Sequence, residues 1–263
     1  MTSIITLTFN NYEELLKTLS SLKAAPHIES VVVNGGSCPK TSDFLSSYLG
    51  PNISEKDHGI ADAFNKGLAL SHGNSVAFLN SGDVLLDPNY YKNAQEILDK
   101  NPAVAFVYAD LWFEDVVAGK MLFCATRNTP YHLGKGMPFP HPTLIVRRSV
   151  FDAIGNFRTE YRIGMDFEWA IRLVKAGFKG QYLSFAPILM DGAGVSTTGE
   201  QIALLECQRA LKEHGLYVGT EKLYFQLRKT KFLIRRGVLK FLGKKALKSL
   251  KMAALTMSGK NRT

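Results

Sequence analysis

Three apolar runs in the first eighty or so residues each end in a cluster of small polar side chains, and helical spacing fills the gaps between them. Ser3 to Thr8 is short and rich in β-branched residues, which suits a buried strand. Asn10 or Asn11 can cap the stretch that follows, where Leu15, Leu16, Leu19 and Leu22 recur at helical spacing. Ser30 to Val33 reads as a second strand and runs into the turn Asn34-Gly35-Gly36-Ser37. Ile60 to Ser71 is helix-like, and the strand Ser75 to Leu79 stops at Asn80-Ser81-Gly82-Asp83. Strand and helix in alternation predict an α/β fold with a mostly parallel central sheet flanked by helices. Sheets of that kind bind ligands beyond the carboxyl ends of their strands. The polar clusters sit at three such exits.

Further along, Val104 to Tyr108 and Thr143 to Val146 are the clearest strands, with a Gly- and Pro-rich stretch, 133–142, between them. Phe167 to Ala176 reads as a helix with Trp169, Ile171, Leu173 and Val174 to bury. Apolar residues make up 46% of the 263, enough core for one generous α/β domain. The cysteines Cys38, Cys124 and Cys207 lie far apart and form no CxxC pair. That spacing argues against a disulfide framework or structural zinc and fits a reducing compartment. The start, MTSIITLTFNN, carries no charged leader or cleavage site, so no signal peptide is expected. No apolar run reaches the roughly 18 residues that span a bilayer. A cytoplasmic location is the expectation.

Charge divides the chain. The formal net charge is +9, yet residues 222–263 hold 13 Lys and Arg and no acidic residue, which leaves the body, residues 1–221, at −4. This is the expected boundary between the main α/β domain, residues 1–221, and a basic tail, residues 222–263. From Leu239 the tail can form an amphipathic helix, with Leu239, Leu242, Ala246 and Leu250 on one face and Lys240, Lys244, Lys248 and Lys251 on another. Such a helix suits an anionic membrane surface, although a terminal helix packed on the body has the same pattern. Aromatic residues accompany the tail, but no nucleic-acid-binding module does, so no nucleic-acid partner is expected.

Several side chains can carry chemistry. Asp83 follows a buried strand, where an Asp serves either an ordinary turn or a divalent cation; Mg²⁺ and Mn²⁺ often take one or two carboxylates plus substrate phosphates. Asp166 and Glu168 open a helix-like run and point to different sides, so one can face a cleft while the other caps or pairs. Helix N-termini also favour carboxylates for electrostatic reasons alone. In SEKDHGIADAFNKG, Asp57, Asp62, Asn65 and Lys66 stand near two glycines; Lys66 can meet a phosphate and Asp57 a base or ribose, or the set can be a solvated helix face. His141, in PFPHPT, precedes a strand, where histidines are commonly hydrogen-bonded structural groups. There is no Walker loop, dinucleotide fingerprint, nucleophile elbow or HExxH.

In order, SIITLTFNN, VVVNGGS, SEKDHGIADAFNKG, FLNSGD and PHPTLIVRRSVFDAIGNFRTEYRIGMDFEWAIRL resemble glycosyltransferase family 2. The likeness is greatest to bacterial members that build exopolysaccharide and lipopolysaccharide, such as colanic-acid-type enzymes. It extends to Gly192-Ala193-Gly194-Val195-Ser196, close to a Gly-Gly-Val-Ser pattern. The resemblance implies a GT-A fold, a nucleotide-diphosphate sugar donor (a UDP-sugar favoured), Mn²⁺ or Mg²⁺, and inverting transfer to a saccharide or polyprenyl-linked acceptor. It implies that Thr8, Asn10, Asn34, Asp57, Asp62, Asn65, Lys66, Ser81 and Asp83 line the donor site. It further implies that Asp83 holds the metal, that Asp166 is the catalytic base, and that His141 and Glu168 lie on the acceptor side. The chain departs from the family pattern at Asn34, where an Asp is usual, and at Ser37-Cys38-Pro39 in place of Ser-Thr-Asp. Asp83 is the only carboxylate of its motif, and Met165 stands where a Glu commonly precedes the base. A nucleotide-sugar-binding protein without transferase activity, within a polysaccharide-assembly complex, is the rival expectation; donor turnover separates the two.

Overall fold

The computed structural model describes residues 1–234 and 237, apart from 37, 116–118, 127–132 and 195–198. The tail helix expected from Leu239, and Val195-Ser196, lie outside the described residues. The alternation read from the N-terminal sequence is present as β1 (Thr2–Thr8), α1 (Tyr12–Leu22), β2 (Ile28–Asn34), α2 (Pro39–Ser46), β3 (Asn52–Ser54), α3 (Ile60–Leu70) and β4 (Ser75–Phe78). Then come β5 (Val84–Leu85), α4 (Tyr90–Lys100), β6 (Val104–Ala109), β7 (Leu111–Asp115), β8 (Lys120–Cys124), β9 (Ile145–Arg147), α5 (Arg148–Ile154), α6 (Met165–Lys175), β10 (Lys179–Leu183), β11 (Ile188–Met190) and α7 (Glu200–Glu213). A further helix covers 219–234.

Seven strands form one sheet in the order β10-β6-β9-β4-β1-β2-β3. Every neighbouring pair is parallel except the two that β9 makes, with β4 and with β6. This is the expected mostly parallel sheet. Successive side chains of a strand face opposite ways, and the core divides accordingly. Ile5, Val31, Val33, Val76 and Phe78 pack against α3 and α6 through Phe64, Leu68, Trp169 and Leu173. Ile4, Val32 and Ala77 pack against α1 and α4 through Leu15, Leu19, Tyr90, Tyr91 and Leu98. Because β9 runs backwards, the segment entering it, 141–143, arrives at the same edge where β1, β2, β4 and β6 end. A smaller sheet, β5-β11-β7-β8, stands beyond that edge.

The expected boundary at 221/222 does not coincide with a break in packing. The 219–234 helix crosses it, and Phe225 is 2% exposed within the same core as Ala210 and Leu211. Composition marks the change of charge there; an aromatic ring needing burial carries the fold past it. No described helix is long and apolar enough to cross a membrane.

Candidate active site

Of the residues expected on the donor side, Thr8, Asn10, Asn34, Ser81 and Asp83 lie at the carboxyl ends of β1, β2 and β4, whereas Asp62, Asn65 and Lys66 lie on α3. Thr8 and Asn34 are register partners. The Thr8 hydroxyl and the Phe9 amide both donate to Asn11 Oδ1, at 2.6 and 2.9 Å, so Asn11 closes the turn rather than capping α1 with its side chain. Asn10 then adopts φ +56°, a left-handed conformation that Asn tolerates better than most residues. Gly35 and Gly36 permit close approach: a Cβ on Gly35 would lie 1.6 Å from Asp57 Oδ2, and one on Gly36 2.6 Å from Asn10 Oδ1. The two glycines thus let Asn10 and Asp57 converge on the β2 exit. Asp57 Oδ1 accepts the Gly59 amide at 3.0 Å.

Other expected donor contacts are occupied within the protein. Asn34 is fully buried; its amide donates to Ser54 Oγ at 2.8 Å and its Oδ1 accepts the Gly36 amide at 3.1 Å. Its neutral side chain stitches the turn instead of opening onto a ligand. Asn65 is bonded both ways to the Phe157 backbone, at 2.9 and 3.0 Å, and ties α3 to the segment after α5. Lys66 pairs with Glu55 at 2.8 Å and Asp62 at 3.3 Å and donates to the Lys56 carbonyl, so its charge is matched locally. Asp62 accepts the His58 amide at 2.9 Å, and that bond heads the causes holding its carboxyl below the usual range. Ser81 Oγ donates to the Leu7 carbonyl at 2.8 Å. These polar groups, at strand exits and on α3, are engaged by backbone and side-chain partners within the fold.

Asp83 is 5% exposed, and burial, reinforced by repulsion from Asp191, raises its pKa to about 7. Its Oδ1 accepts the Asp191 amide at 2.9 Å across 108 residues of sequence. Asp191 lies over Gly82, whose φ is +103°; a Cβ on Gly82 would fall 2.6 Å from Asp191 Oδ2. Asp191 is therefore a second carboxylate beside the FLNSGD turn. Sequence reading missed it, although it directly precedes the noted Gly192-Ala193-Gly194. No group of three or more His, Cys, Asp or Glu suited to a metal occurs among the described residues. Two carboxylates are nevertheless a donor set that Mg²⁺ and Mn²⁺ use together with phosphate oxygens. A cation there would oppose both the burial and the repulsion from Asp191 that raise the Asp83 pKa. The residues fit a cation shared with a ligand, and do not fit an all-protein cage.

Asp166 sits in the first turn of α6, where its Oδ1 accepts the Phe167 amide at 2.7 Å. Burial raises its pKa, and His141 opposes the rise. The His141 ring packs against both Phe64 and Phe78, 5.4 Å from each centroid, and burial lowers its pKa, which favours the neutral imidazole. Its buried Nε2 has no hydrogen-bond partner. Asp166 and His141 border one cavity of about 600 Å³. Glu168, expected on the acceptor side, is 0% exposed and turned elsewhere: it pairs with Arg172 at 2.9 Å, His214 at 3.0 Å and Arg158 at 3.7 Å. Two residues advance about 200° around a helix, so Asp166 on the cavity sends Glu168 toward α7.

Glu206, in α7, accepts the amides of Arg162, Ile163 and Gly164, each at 2.8 Å. This carboxylate fixes the turn that delivers Asp166, and it also helps raise the Asp166 pKa. Nothing in the sequence near Asp166 marks it.

A mostly parallel sheet with polar strand exits, a carboxylate pair at the β4 turn and a half-buried acid bordering a cavity are consistent with the GT-A class of nucleotide-sugar transferase folds. The Glycosyl transferase family 2 profile matches residues 3–155, and the chain belongs to that family of glycosyltransferases. It is 26% identical over 190 residues to a PGL/p-HBAD biosynthesis glycosyltransferase of Mycobacterium bovis, covering 65% of this chain and 69% of that one. It is 29% identical over 125 residues to the putative teichuronic acid biosynthesis glycosyltransferase TuaG of Bacillus subtilis, covering 44% and 49%. Among solved structures, the Pyrobaculum calidifontis mannosyltransferase PcManGT in complex with GDP-Man and Mn²⁺ aligns with a TM-score of 0.64 over 97% of this chain and 80% of that chain, at 15% identity. S. aureus TarS 1–349 in complex with UDP-GlcNAc aligns with a TM-score of 0.55 at 18% identity; it covers 72% of this chain, which spans 58% of TarS 1–349. At these identities the structural likeness is one of fold.

Proposed function

We propose that this glycosyltransferase moves a sugar, with inversion, from a UDP-sugar to an acceptor hydroxyl, with Asp166 as general base. The observation that carries the reading is the placement of Asp166: a half-buried carboxylate with raised pKa, bordering a cavity at the strand-exit edge beside a histidine that favours its neutral form. A raised pKa strengthens a carboxylate as a base, provided it is ionised at the working pH. Asp166 takes the acceptor proton as the oxygen attacks the anomeric carbon, and the nucleotide diphosphate departs from the opposite face. His141 packs beside the base and orients the acceptor. Thr8, Asn10 and Asp57 surround the nucleotide where Gly35 and Gly36 let the chain approach closely. Asp83 and Asp191 would hold a divalent cation with the diphosphate, and such a cation supplies charge neutralisation of the leaving group.

The setting follows from the basic segment. The 219–234 helix exposes Leu223 (58%), Leu227 (61%), Leu233 (55%) and Ile234 (63%) among Lys222, Arg228, Lys229 and Lys231. Residues 222–263 thereby dock the enzyme peripherally on the cytoplasmic, anionic leaflet, where a polyprenyl-linked saccharide acceptor resides. Flotation with anionic liposomes tests this. Leu223→Gln with Leu227→Gln releases the protein, and undiminished binding by that variant refutes the docking face.

The reaction is tested by screening UDP- and GDP-sugars with Mn²⁺ or Mg²⁺ for nucleotide diphosphate release. Metal-dependent release from one UDP-sugar, weakened in Asp83→Ala, supports the reading. Donor binding without release from any donor favours the non-catalytic alternative.

A further inference from the structure

We propose that the cavity beside Asp166 receives an apolar part of the acceptor, an aryl or alkyl aglycone, so that the attacking hydroxyl belongs to a hydrophobic glycoside or alcohol. The inference rests on Asp166 being the base. One wall comes from the small sheet. Leu111 and Phe113, two apart on β7, face the cavity together, and Phe113 is the register partner of Met190 on β11. The opposite wall is the segment Met137-Pro138-Phe139-Pro140, whose two prolines have no N–H to offer.

Polar side chains are few on the described lining: Asp166 and His141, which interact electrostatically, together with Thr126 and the Cys124 thiol. Thr126 is already tied, its amide to Asp110 Oδ1 at 2.5 Å and its hydroxyl to the Ala109 carbonyl at 3.4 Å. A fully hydroxylated sugar ring between these walls would lose water from most of its hydroxyls and find few protein partners, a penalty that apolar surface avoids. Phe113, Met137 and Met190 are all half-buried, so they have apolar surface left to cover. At about 600 Å³ the cavity is in the size range of small-molecule sites. The lining combines a polar pair, Asp166 and His141, which activates a hydroxyl, with apolar surface that holds what carries it.

The test pairs methyl with phenyl and hexyl glycosides of common hexoses, on the full chain with donor saturating. The KM for phenyl or hexyl glycosides is expected to be at least tenfold below that for the methyl glycoside. Phe113→Ala or Met190→Ala should cut that ratio to threefold or less. Equal KM values, or a preference untouched by both variants, overturn the proposal while leaving the transferase intact. Calorimetric binding of the phenyl glycoside without donor separates the two readings. Binding that Phe113→Ala abolishes, with no transfer from any donor, upholds the subsite and refutes the transferase. Absence of both binding and preferential transfer overturns the subsite.

Discussion

The proposed donor edge and the proposed acceptor cavity are built in different ways. At the donor edge, several turns are tied between near neighbours: Thr8 to Asn11, Gly36 to Asn34, Gly59 to Asp57 and His58 to Asp62; Ser81 to Leu7 and Asp191 to Asp83 are the long-range exceptions. Around the cavity the ties reach farther: the Thr126 amide meets Asp110 across 16 residues, the Thr143 hydroxyl meets the Ala109 carbonyl across 34, and Glu206 meets Gly164, in the turn before Asp166, across 42. The donor-edge turns are fastened largely by their own neighbours, whereas the frame of the cavity joins parts of the chain that are farther apart. Damage to the first should therefore alter donor affinity, and damage to the second should alter stability and turnover together.

The largest expected effect is on the cavity side. Asp166→Asn should lower kcat by about 10²–10⁴ with donor affinity retained, measured by steady-state rates and calorimetry. A parallel loss of donor binding would break the division between the two regions.

Next is pH. The Asp83 pKa is raised to about 7, chiefly by burial. Between the ordinary carboxylate value and about 7, the folded protein binds more protons than the unfolded one, so stability falls as pH rises through that window. Asp83→Asn removes the dependence. In cation-free buffer it should raise Tm at pH 8, by an amount worth on the order of a few kcal/mol, and change little at pH 4. Mn²⁺ should raise the wild-type Tm at pH 8 and not that of the variant. Thermal melts at both pH values decide it.

Glu206→Ala leaves three amides without their acceptor and should cost about 1–3 kcal/mol. Turnover should fall with little change in donor affinity, since the loosened turn carries Asp166. The smallest effect belongs to Asn65→Ala. Loss of its two bonds to Phe157 should cost about 1–2 kcal/mol in denaturant melts and leave the donor Kd unchanged, because that side chain is internal. A weakened donor Kd would restore Asn65 to the donor site.

The same contrast explains what the sequence disclosed. Strand and helix periodicity and the turn residues at β1, β2 and β4 are local signals, so the sheet and its exits were legible. So was the divergence of Asp166 from Glu168, which follows from helical geometry alone. Residue type did not reveal occupancy. Asn34, Asn65 and Lys66 have the chemistry of ligand-binding groups, yet their partners Ser54, Phe157 and Glu55 already engage them. Asp191 and Glu206 were invisible for the converse reason, since each acts on a turn distant in sequence. The small sheet β5-β11-β7-β8 also escaped notice, because a two-residue strand such as Val84–Leu85 has no measurable period. The charge boundary at 222 was read correctly as composition, but Phe225 shows that packing does not follow it.

The most direct test of the account is the anomeric configuration of the transferred sugar, followed by proton NMR during wild-type turnover with the donor found by the release screen. A single displacement assisted by Asp166 yields a product whose anomeric configuration is opposite to that of the donor. Retention of configuration would require a second displacement, and would contradict the assignment of Asp166 as the base of a one-step transfer.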